Sequence, residues 1–470
     1  MSGGLHVAVV GGGITGLAAA HALGRAGPDR VHVTVLEASP RLGGKVRSAQ
    51  LAGISVDVGP EALLTRLPSA IELCRELGLA HELVAPLASK TFVWTRGRLC
   101  ELPPGILGGL PDGVGPVLRS GLLSPAGAAR AGVDLVLPRR GDSADESVGA
   151  LVRRRLGREA LERMIDPLLG GIYAGDCDHL SVRATAPQLE ALAREHRSLI
   201  RGMRAAGRSA VPSTGPMFVT LPGGLERIVG RLRDLLRDVD VRCGTPVRGL
   251  LRTADGRYRL ELANGPPLHA DGVIIAVPAF EAGLLLEQAS PAAAAQLREI
   301  EYASVAVAWL AYPASALPTP LEGTGFLVPR VEGRLLGACT WASAKWPHLA
   351  ETGHLLLRCS VGRSGQSQAR MLDDATLLER VAGELQEAIG VRGRPLAAHV
   401  TRWERALPQY AVGHLERVER IEEAIARFPR LALAGAAYRG MGVPQCIAQG
   451  RAAAGQILAD LSPTAGSVAA

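Results

Sequence analysis

Three glycines spaced Gly11-x-Gly13-x-x-Gly16 follow an apolar, β-branched run over residues 7–10 and lead into an alanine-rich helical pattern over 17–23. Strand, tight turn and helix in that order suit a dinucleotide. Gly11 permits the turn, Gly13 lets the backbone approach a pyrophosphate, and Gly16 lets helix and strand pack closely. The unpaired N–H groups at the helix start then face the phosphates, where the helix dipole favours negative charge. With Gly 57 among 470 residues, such spacing can arise by chance, so the context decides. The helical pattern stops at Gly27-Pro28. A second strand over 31–36 ends in Glu37, about 20 residues past Gly16, where a carboxylate binds ribose hydroxyls and repels a 2′-phosphate.

The elements that must position these residues belong to a globular chain. It is 47% hydrophobic and 21% charged, long enough for two or three domains with ample cores. Mean hydropathy is +0.16, yet no uninterrupted apolar run is long enough to span a bilayer. The apolar run near the start is a strand, not a leader, so a cytoplasmic protein is expected, at most peripheral to a membrane. The net charge of +7 comes almost wholly from arginine, which suits carboxylates and phosphates. Basic residues lie among acids, and aromatics make up only 3%, which argues against nucleic acid. An anionic small molecule or an anionic membrane surface fits better. The seven cysteines are scattered, without C-x-x-C or His/Cys metal spacing; they read as reduced thiols, and no metal is expected.

After Glu37 come Arg41-Leu42-Gly43-Gly44-Lys45 and then Val56-Asp57-Val58-Gly59-Pro60-Glu61. Gly43-Gly44 lets the chain pass close to a ligand, and Arg41 or Lys45 can neutralise phosphate. Leu102-Pro103-Pro104-Gly105 and Leu110-Pro111-Asp112-Gly113 break the chain before long amphipathic patterns. Ser143-x-x-Glu146 reads as a capping box, and Leu161, Ile165, Leu168 and Leu169 share a helical face. Residues 194–213 read as a mobile loop. A helix over 225–236, strands from 239, 245 and 258, and a fully apolar strand over 273–278 return to nucleotide-binding character. Strands over 305–310, 325–328, 335–339 and 355–361, with a helix over 374–389, predict an antiparallel substrate sheet. A strand from 431, the loop Arg439-Gly440-Met441-Gly442-Val443-Pro444 and a helix over 445–461 close the pattern. The expectation is a mixed α/β chain. A discontinuous dinucleotide domain takes residues 1–85, 216–284 and 425–461. A helical insertion takes 86–215 and faces substrate or membrane. A substrate-binding sheet domain takes 285–424.

The order of glycine loop, Glu37, basic-x-Gly-Gly-basic segment and Gly59-Pro60 resembles the flavin-dependent amine and porphyrinogen oxidases, which favours FAD over NAD. Four further stretches resemble the porphyrinogen oxidases of the haem pathway, most of all the oxygen-dependent bacterial type. They are Asp166-Pro167-Leu168-Leu169-Gly170-Gly171-Ile172-Tyr173-Ala174-Gly175-Asp176, Leu221-Pro222-Gly223-Gly224-Leu225, Ser343-Ala344-Lys345-Trp346-Pro347, and Arg402-Trp403 continuing through Leu407-Pro408-Gln409-Tyr410 to His414. The resemblance covers nearly the whole chain. It implies a Rossmann-like FAD domain and a six-electron oxidation in three steps, with electrons passed to O2 to give hydrogen peroxide. No catalytic triad or carboxylate pair is expected, because the flavin takes the hydride.

By the same resemblance, non-covalent FAD would be contacted by Gly11, Gly12, Gly13, Ile14, Thr15, Gly16, Glu37, Ala38, Lys45, Gly59, Pro60, Glu61, Ala62, Val247, Trp403, Gly442, Val443 and Pro444. The closing loop would aim a helix N-terminus at the pyrimidine side of the isoalloxazine. Substrate candidates are Arg66 and Lys345 for propionates, Ile172 and Tyr173 lining the pocket, and Phe326 stacking on a pyrrole. Two departures stand out. Leu67 follows Arg66 where some relatives carry a second basic residue, and Pro444-Gln445-Cys446 does not match the covalent flavin-cysteine motif. The arginine-rich balance leans toward coproporphyrinogen III, with four propionates, over protoporphyrinogen IX, with two. The alternatives are another amine-oxidase-fold enzyme acting on an amine or polyene, and a non-catalytic, FAD-stabilised porphyrin carrier. Transient contact with the ferrochelatase that takes the product is a further expectation.

Overall fold

Strands that are apolar on both faces need cover on both sides, and three such runs, Leu5–Val10, Val31–Leu36 and Gly272–Ile275, form the centre of a parallel sheet. The computed structural model describes residues 4–27, 29–103, 114–138, 144–209, 215–366 and 368–461. The five-stranded sheet runs in the order Leu431–Leu433, Gly272–Ile275, Leu5–Val10, Val31–Leu36, Asp240–Arg242, with every pair parallel. Its strands therefore come from the beginning, middle and end of the chain.

One face of this sheet is covered by the helices Ile14–Gly24, Pro68–Glu76, Glu226–Leu235 and Val443–Leu461, around Leu17, Val33, Leu73, Leu232 and Ile457. The other is covered by an antiparallel meander, Val247–Arg252, Tyr258–Leu262 and Leu268–Ala270, and by the helices Ala279–Leu285, Pro291–Arg298 and His414–Ile425. Residues 291–298 and 414–425, expected in the substrate domain, thus pack on the back of the nucleotide sheet. Their apolar residues (Ala294, Leu297, Val418, Ile421) bury against Val10 and Leu260.

The second sheet has seven strands in the order Ala397–Pro408, Tyr302–Pro313, His354–Val361, Leu336–Trp341, Gly325–Leu327, Phe92–Thr95, Arg98–Glu101. All neighbours are antiparallel except Gly325–Leu327 with Phe92–Thr95, which is parallel. The Asp374–Ile389 helix covers one face through Leu377, Val381 and Leu385, and Asp373 caps it by accepting from the Thr376 N–H at 2.8 Å.

Three expectations need correction here. The hairpin over residues 92–101, expected in the helical insertion, forms the edge of the seven-stranded sheet because Phe92 and Val93 pair with Phe326 and Leu327; Val93 and Cys100 pack on the helical block and Trp94 on the sheet's core. The loop expected over 194–213 is largely helical as far as residue 209, Pro187–Glu195 and Leu199–Ser209, because Leu199, Ile200 and Met203 bury one face; residues 210–213 lie outside the described residues. The cap of the Val148–Arg155 helix is Ser147, whose hydroxyl accepts from the Ala150 N–H. Ser143 lies outside the described residues, as do Pro28 and most of both chain-breaking segments before residue 114. Among the described residues no helix is long and apolar enough to cross a membrane.

The Val443–Leu461 helix lies tight against Ile14–Gly24: a Cβ on Gly450 would stand 2.2 Å from the Thr15 carbonyl oxygen, while one on Gly455 meets nothing within 4 Å. Gly450→Ala is therefore expected to cost about 1–3 kcal/mol through overpacking. Gly455→Ala, on the same helix, is expected to gain up to about 1 kcal/mol from helix propensity. Denaturant titration of the two variants checks the pair.

Candidate active site

The glycine loop is built by close approaches that exclude any other residue. Gly11 has φ +108°, and a Cβ there would stand 2.7 Å from the Ala276 carbonyl oxygen. A Cβ on Gly16 would stand 1.9 Å from the Gly11 carbonyl oxygen. Around Gly13 there is open space instead, with nothing within 4 Å. Gly13 is the N-cap of Ile14–Gly24, offers no side-chain cap, and no acidic residue occupies the first turn. The first N–H groups of this helix are thus left for an anionic ligand.

Glu37 closes the loop. Its carboxylate accepts from the Gly12 N–H at 2.6 Å and the Ser39 N–H at 2.8 Å. A carboxylate has about four acceptor sites, so two remain for ribose hydroxyls. Ala38 is exposed beside it, and Val247 begins its strand just after Thr245, whose N–H donates to the Glu37 carbonyl oxygen at 2.9 Å. The sequence left Arg41 and Lys45 as equal candidates for phosphate, and the structure separates them. Arg41 is paired with Glu226 at 2.9 Å. Lys45 has no hydrogen bond or ion pair among the described residues, and burial pushes its ammonium below the usual lysine range. It lies near Cys446, whose thiol is bonded to Thr15 and pushed up by burial. The loop's open Gly13, the uncapped helix start and the unpartnered cation together fit a dinucleotide.

The Gly59-Pro60 segment is held from the other sheet. The Trp309 indole N–H donates to the Asp57 carbonyl oxygen at 2.9 Å, that of Trp403 to Val58 at 2.8 Å, and Arg358 Nη2 to Gly59 at 2.8 Å. Glu61 follows as the centre of a charged cluster: Lys345 Nζ lies 2.5 Å from Oε1 and Arg358 Nε 3.3 Å from Oε2, and the Trp346 indole N–H donates at 3.4 Å. Burial alone would raise the Glu61 carboxyl, but Lys345 and Arg358 outweigh it and hold it below the usual range. Ala62 packs beneath Trp309 and Trp346 in one cluster. Arg358 and Trp309 were not singled out from sequence. A lone arginine inside the apolar run His354–Val361 was the available signal, because a charge there requires a buried partner.

Of the substrate candidates, Ile172 and Tyr173 end the Asp166–Tyr173 helix. Ile172 is 58% exposed, while Tyr173 is half-buried with its ring centroid 5.9 Å from that of Tyr410. The turn beyond them places Ala174 in the left-handed region (φ 47°), pinned by the Ser364 N–H and, at Gly175, by Arg330. Arg66 is exposed and, among the described residues, without a hydrogen bond or ion pair. Two candidates are corrected. Phe326 is 1% exposed, packed between Trp94 and Trp341 at 6.1 and 6.2 Å, so its ring offers no face to a ligand. Lys345 is committed to Glu61, so its charge is not available to a propionate. Gly442, Val443 and Pro444 open the last helix, where Ser69 Oγ donates to the Pro444 carbonyl oxygen at 2.5 Å.

A parallel sheet with a glycine cradle at its centre, closed by a second strand–loop–helix from the end of the chain, defines a dinucleotide-dependent oxidoreductase fold. Residues 14–458 match the profile of the flavin containing amine oxidoreductases. The chain is 37% identical to coproporphyrinogen III oxidase of Bacillus subtilis, with 96% of this chain and 98% of that one covered. It is 33% identical to coproporphyrinogen III oxidase of Staphylococcus aureus over 97% and 99%. A crystal structure from Exiguobacterium sp. 255-15, provisionally named a protoporphyrinogen oxidase, superposes with a TM-score of 0.86 at 35% identity, covering 97% of this chain and 99% of that one. The chain belongs to the flavin-containing amine oxidoreductase family, and its cofactor is FAD.

Removing the charge of Glu61 leaves two cations uncompensated at the seam between the sheets. Glu61→Gln is expected to lose about 3 kcal/mol of stability at neutral pH. Because the folded carboxyl is held low, that deficit should shrink as pH falls through the folded value of Glu61. Asp57 titrates in the opposite sense. Burial pushes its carboxyl up to about 7 against hydrogen bonds from Ser48 and the Leu225 N–H. Its contribution is full below the unfolded value of 3.8 and is lost as pH rises toward about 7. The melting temperature of the native protein should therefore fall relative to Asp57→Asn as pH is raised across that window.

Proposed function

We propose that this chain oxidises a porphyrinogen to a porphyrin in haem synthesis, and that the substrate is coproporphyrinogen III. The observation that carries the reading is the 37% identity to a coproporphyrinogen III oxidase over nearly the full length of both chains. The overall reaction is coproporphyrinogen III plus three O2 giving coproporphyrin III plus three H2O2. FAD, when bound, supplies the two-electron acceptor and returns the electrons to oxygen. The residues of the chain bind and orient. The first turn of Ile14–Gly24 and Lys45 hold the phosphates, and Glu37 holds the ribose. The carbonyls of residues 57–59 are fixed by Trp309, Trp403 and Arg358, so the segment at Gly59-Pro60 is rigid before any ligand arrives.

Ile172 and Tyr173 give an apolar wall for a macrocycle. Arg66, exposed and unpaired among the described residues, is the guanidinium free to fork onto a propionate. Burial pushes the Tyr173 hydroxyl up to about 12, so it stays protonated and offers no phenolate to repel a carboxylate. No strong general base is required of the chain, because FAD, when bound, would supply the hydride acceptor and the pyrrole N–H protons can pass to water. The reading has the enzyme at work in the cytoplasm, in contact with a membrane only at its surface. The provisional name of the Exiguobacterium structure favours protoporphyrinogen IX as a second reading of the substrate.

Anaerobic mixing of the FAD-loaded protein with each porphyrinogen tests the proposal. Flavin bleaching and a fluorescent porphyrin product are expected, with the higher kcat/KM for coproporphyrinogen III. An absence of bleaching with either compound would overturn it. Arg66→Ala should raise KM for coproporphyrinogen III about five-fold, the worth of about 1 kcal/mol for an exposed ion pair, with kcat little changed.

A further inference from the structure

Two segments that set this chain apart in sequence, residues 170–176 and 407–410, are more than 230 residues apart yet lie against each other. Gln409 is 7% exposed, and its amide donates to the carbonyl oxygens of Tyr173 at 2.9 Å and Leu407 at 3.0 Å. Its Oε1 lies 2.7 Å from where a Cβ on Gly175 would stand, so the turn after Tyr173 is shaped to the glutamine. Tyr410 is 1% exposed. Its hydroxyl donates to the Ala436 carbonyl oxygen at 2.6 Å and accepts from the Gly440 N–H at 3.0 Å. These two bonds span the loop that leads into the Val443–Leu461 helix.

The ring of Tyr410 is fixed on both sides, 5.9 Å from Tyr173 and stacked at 4.0 Å on His414. His414 bonds the Tyr438 carbonyl oxygen through Nε2, so Nε2 carries the proton. Burial pushes this histidine down to about 4, and a neutral ring remains in the stack. Main-chain bonds extend the same bridge: the Ser181 N–H donates to the Tyr410 carbonyl oxygen, and the Gln409 N–H to that of Glu301. One short segment is thus bonded to the helical block, to the residue that precedes the Tyr302–Pro313 strand, and to the closing loop.

We infer that Gln409 and Tyr410 are positioning residues with separate duties: Gln409 sets the backbone that presents Ile172 and Tyr173, and Tyr410 sets the 436–440 loop that presents Gly442, Val443 and Pro444 to FAD. The inference rests on the reading of those residues as substrate wall and cofactor contacts. Loss of the Tyr410 hydroxyl leaves the half-buried Ala436 carbonyl and Gly440 N–H without this partner, while the ring and its stacking remain. The imbalance falls on the cofactor loop. Loss of the Gln409 amide frees the Tyr173 carbonyl and falls on the substrate wall.

The test uses the full-length FAD-loaded enzyme and the variants Tyr410→Phe and Gln409→Met, both close in volume to the native residues. Free-flavin fluorescence on dilution gives the FAD Kd, and steady-state assays with saturating FAD give KM and kcat. Tyr410→Phe is expected to weaken FAD about ten-fold, as loss of two part-buried hydrogen bonds would, with KM within about two-fold of native. Gln409→Met is expected to raise KM about five-fold or more, with FAD Kd within about two-fold. Gly175→Ala, which presses a methyl against Gln409 Oε1 and the Leu180 side chain and so displaces the same turn, should reproduce the rise in KM by a second route. Equal loss of cofactor and substrate affinity in both variants, no change in either, or an unchanged KM in Gly175→Ala would overturn the inference. If the native enzyme bleaches with neither porphyrinogen, it is the functional reading that fails. The FAD Kd of Tyr410→Phe then still decides the cofactor half of the inference.

Discussion

Three consecutive carbonyls, those of Asp57, Val58 and Gly59, take their hydrogen bonds from side chains of the other sheet, and the two halves of the molecule are joined through them. A main-chain carbonyl in a buried seam must find a donor. Pro60 has no N–H, so a tight turn could not supply a donor to the Asp57 carbonyl. The donors are two indoles and a guanidinium, each with a fixed direction. Trp309 and Arg358 stand directly opposite one another on neighbouring antiparallel strands, and Trp403 comes from the strand on the other side of Trp309's own. Their alignment is therefore a property of strand register. A slip of any one of these strands by one residue would turn its donor to the opposite face.

The charges at this seam follow from the same arrangement. Arg358 bonds Gly59 and also faces Glu61, and Lys345 completes the neutralisation of that carboxylate. A buried anion with two cations and an indole around it is a poor source of net stability, but it tolerates little displacement. Orientation is what this cluster contributes. Lys45 is the counter-example: a half-buried cation near Cys446, it has no ion-pair partner among the described residues.

Features written in local backbone geometry were legible in the sequence. The glycine cradle, the strand ending in Glu37, the meander and the Asp374–Ile389 helix all follow from φ requirements, apolar periodicity or caps within a short window. Features that depend on distant partners were not. Glu61 and Lys345 each looked like a ligand contact, yet they neutralise each other across 284 positions. Phe326 looked available to stack on a pyrrole, but its register opposite Cys339 and Phe92 puts it inside a sheet. The Ala397–Pro408 strand escaped notice because Arg402, Glu404 and Arg405 break the alternation on a half-exposed edge. Trp403 on that strand was legible as a motif residue, but its bond to Val58 was not.

The parallel sheet draws its strands from both ends of the chain, and this has a bearing on how the protein is made. The cradle at residues 11–16 leaves the ribosome more than 400 residues ahead of the strand Leu431–Leu433 and the helix Val443–Leu461 that complete the sheet and its cover. Until they arrive, the apolar faces of Leu5–Val10 and Gly272–Ile275 lack half their cover, and the nascent chain exposes an open edge of β-sheet. A chain interrupted before residue 443 carries the glycine cradle without the helix that packs against Thr15 behind it.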